Sequence, residues 1–126
     1  MGKIKEKVLD AKFSLVIRNR DNWTCQYPGC YFRASPPTNL IQNSHFYTRT
    51  ARSVRYDPFN CDAICYRHHS FLEQRKNGEY LEWKLRQLGP ERFAALRKRY
   101  TTLKQWTERE KRELLDGFNE KIKLYK

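Results

Sequence analysis

Apolar residues in the first part of the chain recur at helical spacing. Leu9, Phe13, Val16 and Ile17 share one face between Ile4 and Arg18, and lysines and arginines fill the other, which predicts an amphipathic helix. Asp21-Asn22 breaks the pattern. From Trp23 to Asn43 no period holds: Pro28-Gly29 reads as a turn, and Pro36-Pro37 forbids a regular element. Leu40-Ile41 with His45-Phe46-Tyr47 suggests a short strand, and Phe59 to Ile64 a second, with a polar loop from Thr48 to Pro58 between them. A helix is expected over His68 to Lys76, ended by Asn77-Gly78. The rest reads as helical. Tyr80, Leu81, Lys84, Leu85 and Leu88 form one amphipathic stretch stopped at Gly89. Pro90 suits the first turn of the next, with Phe93, Leu96 and Tyr100 on its buried stripe. Thr107-Glu-Arg-Glu110 has the form of a capping box. It opens a last helix with Leu114, Leu115, Phe118, Ile122 and Tyr125 facing inward.

These elements predict one α+β domain over 1–126: an N-terminal helix (1–22), an irregular segment followed by strand, loop, strand and helix (23–78), and a helical extension (79–126). Hydrophobic residues make up 39% of the 126, a modest core that a metal staple would help. The net charge of +12 points to a polyanionic partner. No apolar run approaches membrane-spanning length, and the opening Met1-Gly-Lys-Ile-Lys-Glu-Lys has no signal-peptide pattern. Glu6 stands where a myristoylation signal requires Ser or Thr. The expected compartment is the cytoplasm.

In that setting the four cysteines favour metal over disulfides. Cys25-x4-Cys30 and Cys65-x2-His68 are two zinc half-sites. A site of Cys25, Cys30, Cys61 and Cys65 is the alternative. The x2 spacing favours His68, which leaves Cys61 as a buried thiol. Buried small hydrophobes are the bland reading of all four cysteines. Adjacent residues on a helix point about 100° apart, so His69 cannot share an ion with His68. His45 and Asn60 are available to meet it. A neutral imidazole at His45 can act as base, His69 can bind a metal, and Asn60 can fix the loop or orient His45. Arg49, Arg52 and Arg55 lie between these segments and would suit phosphates, although a solvated charged loop explains them equally. Together these features suggest a metal-dependent nuclease; the rival is a non-catalytic zinc module that binds DNA or RNA.

The pattern Leu9-Asp10-x2-Phe13-Ser14-x2-Ile17-Arg18-x-Arg20-Asp21, Cys25-x4-Cys30, Ser44-His45-Phe46-x2-Arg49, Arg55-Tyr56-Asp57-Pro58-x-Asn60, Cys65-x2-His68-His69 and Trp83-x4-Leu88-Gly89 resembles the HNH (ββα-metal) endonucleases. It is most similar to the phage recombination enzymes of the NinG/Rap type, over roughly Leu9 to Tyr100. The resemblance implies a zinc-stapled ββα core, with His45, Asn60 and His69 as the H, N and H and a knuckle of Cys25, Cys30, Cys65 and His68. It also implies catalytic Mg²⁺ or Mn²⁺ and cleavage of branched DNA, such as Holliday junctions or displaced-strand joints, in the host cytoplasm. Ordinary duplex is the alternative substrate. Two departures stand out. His68 replaces a fourth knuckle cysteine, and Ser44 occupies the position where many such enzymes carry a metal ligand. Water, Asp57 or His45 itself would then complete the catalytic-metal site. Two cuts at a junction would suit a homodimer, with the apolar row of the last helix as one contact surface.

Overall fold

A computed structural model describes residues 2–76 and 78–125. Met1, Lys126 and the Asn77 half of the expected helix stop lie outside the described residues. The fold is α+β, with four helices and a two-stranded antiparallel sheet among the described residues. Helix α1 spans Glu6–Arg20 and buries the predicted stripe of Leu9, Phe13, Val16 and Ile17. Strands β1 (Ile41–His45) and β2 (Cys61–Cys65) pair in a register that sets Ile41 against Cys65 and His45 against Cys61. The second strand begins later than expected because Pro58–Asn60 forms a 3₁₀ turn. The Asp57 carboxylate starts that turn by accepting from the Phe59 backbone N–H at 3.0 Å.

Helix α2 follows β2 at once, over Tyr66–Glu73. It stops short of Lys76 because Arg75 takes a left-handed conformation (φ 56°), which the α-helix cannot continue. Helix α3 spans Glu79–Tyr100 and is broken at Gly89, whose φ of 80° and ψ of 166° are non-helical, so two stretches meet where Gly89-Pro90 predicted a boundary. The buried face of its first half differs from expectation. Tyr80, Trp83 and Lys84 point inward, while Leu81 and Leu85 are exposed. The reason is an ion pair. Lys84 Nζ lies 2.9 Å from Asp62 Oδ2 on β2, and Gln87 bonds both partners. A buried charge demands such a partner, and the partner sets the helix rotation.

Helix α4 (Glu108–Leu124) opens with the predicted capping box: the Thr107 hydroxyl accepts from the Glu110 N–H, and the Glu110 carboxylate accepts from the Thr107 N–H. Phe118 is buried against Phe13 and Tyr56, whereas Tyr125 is half exposed rather than inward. The apolar row of α4 is therefore used inside the chain, against α1. Two apolar clusters result. One joins Trp23, Ile41, Phe46, Ile64, Leu72, Tyr80 and Trp83; the other joins α1, α4, Tyr56 and Cys61. No described helix is long and apolar enough to cross a membrane.

Candidate functional site

The knuckle is a tight backbone hairpin. The Cys25 N–H donates to Phe32 O at 2.8 Å, and the Ala34 N–H to Trp23 O at 3.2 Å. The Cys30 N–H closes the turn onto Tyr27 O at 3.0 Å, over Gly29, whose φ of 83° favours glycine. The Gln26 N–H donates to Ala63 O at 2.9 Å and docks the hairpin on β2. Cys65 ends that strand and is the N-cap of α2, which brings His68 round in the first turn. The Sγ atoms of Cys25, Cys30 and Cys65 and a ring nitrogen of His68 thus all lie within 4.8 Å of one another.

Their spacing fits zinc. Cys30 Sγ and Cys65 Sγ are 3.9 Å apart, and His68 Nδ1 lies 3.8 Å from Cys25 Sγ and 3.4 Å from Cys65 Sγ. A tetrahedron with Zn–S bonds near 2.3 Å has S–S edges of about 3.8 Å and slightly shorter S–N edges. The His68 ring is held by stacking on Tyr27, with centroids 4.2 Å apart. Burial pushes the Cys25 thiol up to about 12, so metal binding must displace its proton. Cys61 is not part of this cluster. It is buried among the α1 and α4 side chains, on the strand where a buried thiol was expected.

His69 faces the other way, into a cleft of about 650 Å³ shared with His45, Asp10, Gln42, Asn43, Arg49 and Glu73. Two bonds define the proton positions there. His45 Nε2 lies 2.8 Å from the Arg55 carbonyl oxygen. A carbonyl only accepts, so Nε2 carries the hydrogen and Nδ1 of the neutral ring is left as an acceptor. Burial holds His45 below the ordinary imidazole value, and Arg49 and Arg55 act in the same direction against the Arg55 carbonyl and Asp10. Gln42 donates through Nε2 to Asn39 O at 3.2 Å, which turns Oε1 toward His69 Nδ1. His69 Nδ1 is then the donor, and its Nε2 stands 3.2 Å from Glu73 Oε1. A ring nitrogen and a carboxylate oxygen at that distance share a proton or a cation. Cis ligands of an octahedral ion with bonds near 2.1 Å are about 3.0 Å apart, so a divalent cation fits.

The remaining predicted site residues divide by place. Asn60 is fully buried and does not line the cleft. Its Nδ2 donates to Tyr47 O at 2.9 Å and Val54 O at 3.1 Å, and its Oδ1 accepts from the Tyr47 N–H at 2.8 Å. It staples the loop that carries the Arg55 carbonyl. Asp57 is held by Arg99 Nε at 2.6 Å and lines a separate depression, so the structure does not bring it to His45 and His69. Ser44 is buried against the Tyr80 hydroxyl at 2.6 Å, also away from the cleft. Of the three arginines, Arg49 is exposed and lines the cleft. Arg52 is exposed but faces a neighbouring groove. Arg55 is occupied: it grips Asp10 at 2.9 and 2.6 Å, Glu6 at 3.1 Å and the Arg49 carbonyl at 3.2 Å.

Sequence reasoning missed Glu73, Gln42 and Arg75. The first was legible, since His69-x3-Glu73 places both side chains on one helical face. Arg75 was not. Its guanidinium donates to Phe46 O at 2.7 Å and His45 O at 3.2 Å, from a backbone turn that no spacing announced. Comparison with known protein families, with curated proteins and with solved structures finds no match.

Proposed function

We propose that this chain is a divalent-metal-dependent DNA endonuclease of the HNH (ββα-metal) kind, acting on branched DNA. The observation that carries the proposal is the pairing, in one cleft, of an imidazole with an open Nδ1 (His45) and a nitrogen–carboxylate donor pair (His69 and Glu73). The zinc cluster supports it by fixing α2, and so the direction of His69, against β2. The net charge of +12 supports a polyanionic substrate.

The geometry supports the following roles. His45 Nδ1 accepts a proton from water as its oxygen bonds to phosphorus and the bond to the leaving oxygen breaks. The Arg55 carbonyl fixes the tautomer of the neutral ring before the transfer and keeps the ring orientation after it, and Asn60 holds the loop that presents that carbonyl. His69 and Glu73 would hold Mg²⁺ or Mn²⁺, with Gln42 fixing the His69 tautomer; the ion would neutralise charge on the leaving oxygen. This ligand pair takes the place of the acidic residue that Ser44 lacks. Arg49, exposed on the cleft wall, would hold a phosphate.

The test is cleavage by the zinc-loaded protein of four-way junction, flap, linear duplex and supercoiled plasmid, with and without added magnesium or manganese. Cation-dependent cleavage, fastest on the branched substrates, is expected. No cleavage of any substrate under either cation would leave a zinc-stapled binding module, with His69 and Glu73 an ordinary protonated ion pair. Equal rates on duplex and junction would keep the nuclease and remove the branched preference.

A further inference from the structure

The cleft does not end at the loop after His45. Thr50 lines it and also lines a second groove of about 630 Å³, formed between Thr50–Ser53 and Tyr100–Gln105. The Tyr100–Gln105 wall is the connector from α3 to α4, and it is anchored. Trp106 Nε1 donates to Arg52 O at 3.0 Å, and the Ser53 hydroxyl to Tyr100 O at 3.2 Å. The hydroxyls of Thr101 and Thr102 both donate to Lys98 O, at 2.9 and 3.1 Å. The Tyr100 ring is stacked on Tyr47 with centroids 3.8 Å apart. On this anchored stretch sits Leu103, 98% exposed.

We infer that Leu103 is a wedge that enters the opened base stack of branched DNA while the groove beneath it holds the backbone of the strand leading to the His45 cleft. The inference rests on the DNA substrate proposed above. A single exposed leucine is ordinary on a flexible loop, where it costs little and does nothing. Leu103 differs in being presented on a connector pinned from both sides and next to a groove of the right chemistry. Arg52, exposed on one wall, supplies a guanidinium that has no partner among the described residues and suits phosphate oxygens. Lys104 also lines the groove, and the last turn of α3, outside the groove itself, carries exposed Arg97 and Lys98. Apolar side chains inserted between base steps unstack them, and the unstacking is least costly where pairing is already interrupted. A wedge at Leu103 therefore favours junctions over intact duplex without reading any base.

The experiment uses zinc-loaded protein without added magnesium or manganese. Binding to a four-way junction and to a linear duplex of the same sequence is measured by fluorescence anisotropy. Unstacking is read from 2-aminopurine placed at the branch point. Wild type should bind the junction at least about tenfold tighter than the duplex and raise the aminopurine emission. Leu103→Ala should lose about tenfold in junction affinity and abolish the rise, with duplex affinity unchanged; Leu103→Phe should retain both. Wild-type emission in Leu103→Ala, or no junction preference in wild type, overturns the wedge. The nuclease reading fails separately. A chain that unstacks junctions through Leu103 yet cuts nothing keeps the wedge, and one that cuts junctions equally well as Leu103→Ala keeps only the nuclease.

Discussion

Asn60→Ala separates a residue that builds the site from one that works in it. The Asn60 amide makes three bonds, at 2.8, 2.9 and 3.1 Å, and none of its atoms lines the cleft. Truncation strands the Tyr47 N–H, the Tyr47 carbonyl and the Val54 carbonyl. A buried polar group left without its partner costs about 1–3 kcal/mol. Tyr47 lies near the surface, where water can replace part of the loss, so the sum is about 3–5 kcal/mol. That is a large share of the 5–15 kcal/mol typical of a whole domain, roughly. At this chain length it lowers the melting temperature by about 10–20 °C. On the nuclease proposal cleavage should fall too, because the Arg55 carbonyl would drift and His45 would lose its fixed tautomer. Asn60→Asp has the same shape and still accepts from Tyr47 N–H. It turns an acceptor toward two carbonyls, however, and should destabilise as much. Thermal melts of zinc-loaded protein, with cleavage rates measured well below each melting point, make the comparison. A variant that melts within about 2 °C of wild type yet cuts no DNA would refute the argument and put Asn60 in contact with substrate.

The other expectations concern chemistry, metal and charge. His45→Ala should stay folded and bind DNA but lose about 10²–10⁴-fold in cleavage rate. Because burial depresses its proton affinity, His45 should remain an active base below neutrality, and activity should fall only as pH drops through a value under about 6.5; an acidic limb centred at pH 7 or above would contradict this. Glu73→Gln and His69→Ala should each raise the magnesium or manganese concentration needed for half-maximal cleavage about tenfold or more, an unchanged requirement in both excluding them as ligands. Cys30→Ser and Cys65→Ser should unfold the core, as structural zinc contributes on the order of 10 kcal/mol to small domains, whereas Cys61→Ser should retain one zinc per chain by metal analysis. Arg49→Ala should lower the salt slope of DNA affinity by about 1, while Arg55→Ala should chiefly destabilise the fold, since its guanidinium is already taken by Asp10 and Glu6.

Local rules made α1, the capping box at Thr107 and the break at Gly89-Pro90 legible, because each depends on residues within a few positions of one another. The Cys25, Cys30, Cys65 and His68 cluster was legible for the same reason, as two short spacings. What escaped depended on partners far along the chain. Lys84 looked like one polar residue among leucines until Asp62 supplied its counter-charge, and that pair turned Leu81 and Leu85 outward. Arg49, Arg52 and Arg55 looked equivalent as a spaced series. Only the position of Asp10 on α1 showed that Arg55 is a structural tie. Asp57 was a plausible metal ligand by type and was claimed by Arg99 and by its own turn.

The neighbouring histidines of α2 bear on how this gene can change length. His68 closes the cysteine cluster and His69 opens onto the cleft, and their division of labour depends on a rotation of about 100° per residue. One residue gained or lost between Cys65 and His68 would swing both imidazoles off their targets together, and one between His69 and Glu73 would part that pair. The same change between Ala34 and Thr38, beyond the knuckle hairpin, would meet no ligand and no helix. Insertions and deletions among descendants of this chain should therefore collect in that loop and be absent from the α2 segment, a pattern that sequencing of a randomised-length library under selection for zinc retention would expose.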